Sequence, residues 1–161
     1  MLNFNIRPVA ADDKDWVDKF IAERWGDNFV VGHDDIYYPR ELAGFVAEQN
    51  GKKVGLATYH LAGHSCEIVT IDSTRPNQGL GSALIEVVKT VAQKAGCTRL
   101  WLVTTNDNLH ALRFYQKRGF ELVAVHRNAV ARSRELKPVI PVLGNDGIPI
   151  RDEIELELQL R

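Results

Sequence analysis

Hydrophobic and polar positions follow two periods along this chain, one of two residues and one of about 3.6, and the clearest switch between them falls near residue 80. Leu2, Phe4 and Ile6 alternate with Asn3, Asn5 and Arg7, which predicts a strand with one buried face ending near Pro8. Trp16, Val17, Phe20 and Ile21 share one helical stripe, with Asp12 and Asp13 available as caps and Gly26 as the stop. Residues 27–40 keep no clean period and are expected to form an irregular segment with a short helix, a loop of the kind that shapes pockets. Alternation returns over 43–49 and 53–60, two strands joined by Asn50-Gly51, a pair that accepts the positive φ of a tight hairpin. A turn at Ala62-Gly63-His64 leads to a further strand over 66–71.

After Gly81 the period becomes helical. Leu84, Val87, Val88, Val91 and Ala95 form one apolar stripe that Gly96 ends. Leu100-Trp101-Leu102-Val103 is apolar throughout and predicts a short central strand covered on both faces, which completes a βαβ unit. A second helix is expected over 108–118, opened by Asn108 and closed by Gly119, with Leu112 and Tyr115 on a shared face; a strand over 120–125 follows. Residues 128–136 suit a helix, Pro138 and Pro141 limit sheet pairing, and Asn145-Asp146-Gly147 is a turn. Ile154, Leu156, Leu158 and Leu160 alternate with polar residues in a half-buried final strand. At a sheet edge that strand would support a homodimer; inside the sheet it would complete the monomer's core.

Composition narrows the class. The 161 residues are 45% hydrophobic and 25% charged, enough for one core without a disulfide or metal staple, so a single domain over 1–161 is expected. Basic and acidic side chains number 20 and 21 with no long run of one sign, which argues against a nucleic-acid partner. Cys66 and Cys97 read as reduced and buried, which fits a cytoplasmic address. The first five residues lack the pattern of a signal peptide, and no run approaches the roughly 18 apolar residues that would imply a membrane span. Five scattered histidines show no paired ligand spacing, so no metal is expected.

The sharpest local pattern is Arg75-Pro76-Asn77-Gln78-Gly79-Leu80-Gly81-Ser82-Ala83-Leu84, between a strand and a helix. Closely spaced glycines let backbone approach an anion, and free amides at a helix start stabilise phosphate charge. No Gly-Lys-Ser/Thr ending follows, and Leu84 stands at the third glycine position of a dinucleotide fingerprint, so neither of those phosphate motifs applies. Taken with Asn108-Leu109-His110-Ala111-Leu112-Arg113-Phe114-Tyr115-Gln116-Lys117-Arg118-Gly119-Phe120, in this order and spacing, the chain resembles the GNAT superfamily of acyl-CoA-dependent N-acetyltransferases. The resemblance spans most of the chain and is strongest over residues 71–120.

It implies an α/β (α+β) fold: a mixed, mostly antiparallel sheet flanked by helices, with two parallel strands splaying apart for the cofactor. By the same likeness, the backbone of Gln78, Gly79, Leu80, Gly81 and Ser82 would hold the pyrophosphate of acetyl-CoA. The strand carrying Val69 and Ile71 would bind the pantetheine arm, and Asn108 would contact it too. Pro76 stands where the family commonly has Gln or Arg and cannot donate an amide hydrogen bond, which leaves Arg75 or Gln78 as side-chain contributors.

Acetyl transfer to an amine requires a proton acceptor for the amine and a proton donor for the departing thiolate. The resemblance puts Tyr115 at the general-acid position; a tyrosine there can equally bury its ring and bond a backbone carbonyl. Glu67 is the first candidate base, with His60, His33 and Asp72 as alternatives, and strand alternation would put Glu67 on one face with Val69 and Ile71. Backbone amides near Val69 or Ile71 could stabilise carbonyl charge. Direct transfer in a ternary complex is expected, since neither cysteine has a neighbouring His and acid pattern. Trp25, His33, Asp34, Tyr37, Tyr38 and His60 are candidates for a wall around a small-molecule or peptide amine. The other reading is an acyl-CoA-binding regulatory module of the same fold without efficient transfer.

Overall fold

The computed structural model describes residues 3–161. Seven strands form one sheet in the order β1-β4-β5-β6-β7-β9-β8. β1 (Asn5–Pro8) pairs antiparallel with β4 (Ala43–Gln49), Pro8 standing opposite Phe45 on an outer strand where a missing N–H breaks no ladder on the far side. Phe4 and Ile6 pack against the core as expected, while Leu2 lies outside the described residues. β4, β5 (Lys52–Ala62) and β6 (Ser65–Ser73) make the antiparallel meander, with positive φ at Asn50 and Gly51.

From β6 the chain crosses through α2 (Leu80–Lys94) to β7 (Arg99–Thr105), and these two strands are parallel. α2 buries Leu80, Leu84, Ile85, Val88 and Ala92, whereas Ala95 is exposed, so its stripe is rotated from the predicted one. Gly55 of β5 makes room for the helix's first turn, since a Cβ there would stand 2.9 Å from Leu80. α3 (Leu109–Lys117) shares this face through Tyr115. α1 (Lys14–Trp25) covers the opposite face, where Val17, Phe20 and Ile21 meet Val30, Val46 and Leu56. Asp12 and Asp13 do not cap α1 by side chain; Asp13 is held by Arg7 and Lys53 instead.

Residues 27–40 depart from expectation. They form a hairpin, β2 (Val30–Gly32) and β3 (Asp35–Tyr37), followed by a single 3-10 turn at Pro39–Glu41. His33 and Asp34 supply positive φ at the hairpin turn without glycine or asparagine, so the usual turn signal is missing. The His33 N–H donates to Glu153 at 2.9 Å, fastening the hairpin tip to the sheet.

β8 (Glu121–His126) and α4 (Ala129–Leu136) precede β9 (Glu153–Gln159), which inserts between β7 and β8. The final strand is therefore interior, and the alternative of a dimer through its free edge is corrected: both of its edges are already paired. Among the described residues no helix is long and apolar enough to cross a membrane.

Candidate functional site

β6 and β7 pair only over Ser65–Glu67 and Arg99–Trp101, then separate. Glu67 and Trp101 are the last matched residues, so Glu67 sits at the apex of the split. Beyond it, the β7-facing edge of β6 is left without a strand partner. A register shift against β5, where Thr58 faces Thr70 and Tyr59 faces Ile68, leaves Val69 as an extra residue. The bulge changes which side chains share a face. Val69 packs toward the α1 core and Ile71 toward the α2 core, correcting the alternation that grouped both with Glu67.

The split opens into a cleft of about 430 Å³ that reaches the turn before α2. Gly79 caps α2 with φ +80, and no side chain caps the helix. The first helical bond of this turn is donated by Ala83 to the Gly79 carbonyl, so the Leu80, Gly81 and Ser82 N–H groups precede it without an intrahelical acceptor. These amides and the helix dipole make an anion seat. A Cβ on Gly79 would meet open space, so positive φ is what selects glycine there, whereas a Cβ on Gly81 would come within 2.9 Å of Phe114. Gly81 thus admits an aromatic ring of α3. Arg118 lies over that ring at 3.6 Å and donates to Ser82 Oγ at 2.7 Å, which adds a cation beside the amides.

Tyr115 lines the cleft but is only 6% exposed, wedged edge to face between Phe114 and Phe120. Burial, followed by the nearby Asp72 charge, pushes its phenol above the ordinary range and keeps it protonated; Arg118 opposes the shift. Asn108 lines the cleft and caps α3, accepting from the Ala111 N–H at 3.2 Å and donating to Thr104 at 3.1 Å. Asp72 receives the Trp25 indole N–H at 2.9 Å; burial raises its carboxyl to about 6 despite that bond and the Arg24 charge.

Glu67 is 5% exposed, and its side chain accepts one hydrogen bond, from the Tyr37 hydroxyl at 3.0 Å. Burial raises its carboxyl to about 7; Asp35, Glu153 and Glu155 push the same way and the Tyr37 bond opposes them. The Tyr37 ring lies 5.6 Å from that of His60. Cys66 is buried with its thiol pushed up to about 12, first by burial and then by Cys97 and Glu67, which leaves it a poor nucleophile. A second cavity of about 390 Å³ shares Arg24 and Trp25 with the cleft. Its other walls come largely from the long β8–β9 connection, including Val130, Val139, Ile140 and Ile150, with Glu153 among them.

Residues 11–120 match the family model of the acetyltransferase (GNAT) family, more than half of the chain. The chain belongs to the GNAT family. It is 45% identical over 136 residues to the uncharacterized protein YdhI of Bacillus subtilis (strain 168), a match covering 84% of this chain and 85% of that one. With the ribosomal protein bS18 alanine N-acetyltransferase of Escherichia coli (strain K12) it shares 26% identity over 115 residues, 70% of this chain and 69% of the other. The crystal structure of a GNAT acetyltransferase from Elizabethkingia anophelis with acetyl-CoA bound has the same fold, with a TM-score of 0.71, 21% identity, and coverage of 98% and 99%.

The GNAT fold brings Trp25, Val69, Ile71, Gly79, Leu80, Gly81, Ser82, Asn108 and Tyr115 together around one cleft. Gln78 is not on its wall, and its side-chain oxygen is buried without a partner, while Arg75 does line it. Glu67, Tyr37 and His60 form a separate cluster at the apex of the split. His33 stands apart from both, edge-on to Trp101 and His126. Arg118 was legible only as a basic residue at a helix end, and the second cavity had no signal because its walls lie far apart in sequence.

Proposed function

We propose that this GNAT protein transfers an acetyl group directly from acetyl-CoA to an amine of a small molecule or peptide. The observation that carries the reading is the continuity of three features: a turn with unpaired amides, a strand edge left free by the split, and a buried phenol on the wall between them. The amides of Leu80, Gly81 and Ser82, with Arg118, fit a pyrophosphate, and the free edge of β6 fits the amides of a pantetheine arm. When bound there, acetyl-CoA supplies an activated thioester.

The remaining work belongs to the chain. Glu67, poised near neutrality at the apex of the split and set apart from the cleft wall, accepts the proton of the amine through a water relay that passes Tyr37. Tyr115 retains its proton until negative charge develops on the departing sulfur, then donates it. The raised Cys66 thiol favours this single transfer over an acyl-cysteine route. The acceptor approaches through the second cavity, whose aliphatic walls meet the cleft at Arg24 and Trp25.

The test is thiol release from acetyl-CoA across a panel of amines, with Tyr115→Phe and Glu67→Gln alongside the unmodified protein. Turnover that falls about 10²-fold or more in each variant, with acetyl-CoA binding retained, supports the assignment. Cofactor binding without turnover on any amine would favour the regulatory module.

A further inference from the structure

His33, His126 and Glu155 come from three distant parts of the chain and meet beneath the β2–β3 hairpin. Their donor atoms lie within 4.8 Å of one another. The two imidazoles stand edge to face with centroids 4.8 Å apart, and His126 Nε2 is 3.0 Å from Glu155 Oε1. We propose that these side chains bind one divalent transition-metal ion, with zinc the best-matched occupant.

Two imidazole nitrogens and one carboxylate oxygen are a donor set suited to zinc, and three protein ligands leave a fourth position for water or an exogenous group. Donors around a tetrahedral ion with bonds of about 2.0–2.1 Å stand roughly 3.3 Å apart. His126 and Glu155 already approach that spacing, and the exposed His33 side chain can rotate to close the rest. Surrounding groups orient the ligands. Arg99 holds Glu155 Oε2, which leaves Oε1 turned to His126. The His33 backbone is fixed by its bond to Glu153, and Asp34 is fixed by Arg132 at 2.9 Å. Positive φ at two adjacent non-glycine residues persists where the surroundings impose it, and here it places an imidazole over the sheet. An ion at this point would staple the hairpin that carries Tyr37 to β8 and β9.

Titration of the metal-free protein with zinc chloride at neutral pH, followed by calorimetry and thermal unfolding, tests the site without recourse to catalysis. One ion should bind per chain and raise Tm, magnesium should do neither, and cobalt(II) should give the visible absorption of a low-coordinate site. His33→Asn, chosen because asparagine tolerates positive φ, and His126→Gln should each weaken zinc binding by about tenfold or more. Equal affinity in folded samples of both variants, or no saturable binding by the unmodified protein, would overturn the proposal.

Discussion

Asp13 and Glu67 are equally hidden, at 1% and 5% exposure, yet they are held in opposite ways. Asp13 accepts from both terminal nitrogens of Arg7, at 2.7 and 2.9 Å, from Lys53 at 2.8 Å and from the Ala10 amide at 2.7 Å. The Arg7 bonds, ahead of those from Lys53 and Ala10, hold its carboxyl well below the usual carboxylate range against the cost of burial. Burial raises the Glu67 carboxyl to about 7, with one neutral donor, Tyr37, opposing the rise and three acidic neighbours adding to it. Burial raises a carboxyl unless cations answer it: at Asp13 Arg7 and Lys53 do, and at Glu67 nothing does. The first acid fastens β1 and β5 to the start of α1, while the second is left poised to exchange a proton.

The comparison breaks most sharply in catalysis. Glu67→Gln should lower kcat about 10²- to 10⁴-fold, and Asp13→Asn should leave kcat of the folded protein within about twofold; equal losses would erase the distinction. Stability should rank them the other way. Removing the charge of Asp13 should cost roughly 2–4 kcal/mol by denaturant unfolding, a value tempered because Arg7 and Lys53 are partly hydrated.

The pH dependences should also oppose each other. Glu67 binds its proton more tightly when folded, so its contribution is favourable at low pH and is lost as pH rises from about 4.3 through about 7. Glu67→Gln should therefore stabilise the protein at pH 8, by roughly 1–3 kcal/mol. Asp13 contributes fully above the unfolded value of about 3.9 and loses that contribution on acidification toward its lower folded value. The smallest effect is expected for Tyr37→Phe, at about 1 kcal/mol of stability. Losing the bond that opposes the shift should move the rising limb of the pH–rate profile upward; an unmoved limb would detach Tyr37 from the ionisation of Glu67.

The sequence made these two carboxylates hard to tell apart. Asp13 read as a helix cap because a single sequence shows the acid before an amphipathic run and not the Arg7 and Lys53 side chains that converge on it. Glu67 was recognisable as a polar residue in an apolar strand, but the bulge at Val69 that reassigns Ile71 to the other face has no local signature. The βαβ unit and its glycine turn were plain from periodicity, and the anion seat follows from them almost directly. The β2–β3 hairpin was hidden because His33 and Asp34 take the place of the usual turn residues. The second cavity was hidden because residues 130–153 meet α1 only in three dimensions.

The interior place of β9 has a consequence in time. β8 is made before β9 but has no seat in the sheet until β9 arrives to lie between it and β7, with Arg99 opposite Gln159. Pairings so distant in sequence close slowly, because a long loop must be ordered before any contact rewards it. On an emerging chain, the meander and the glycine turn can take shape first. Glu153 and Glu155, which help to set the ionisation of Glu67, are the last of this constellation to arrive, so the amides of the glycine turn can be in place before the Glu67 carboxyl is tuned.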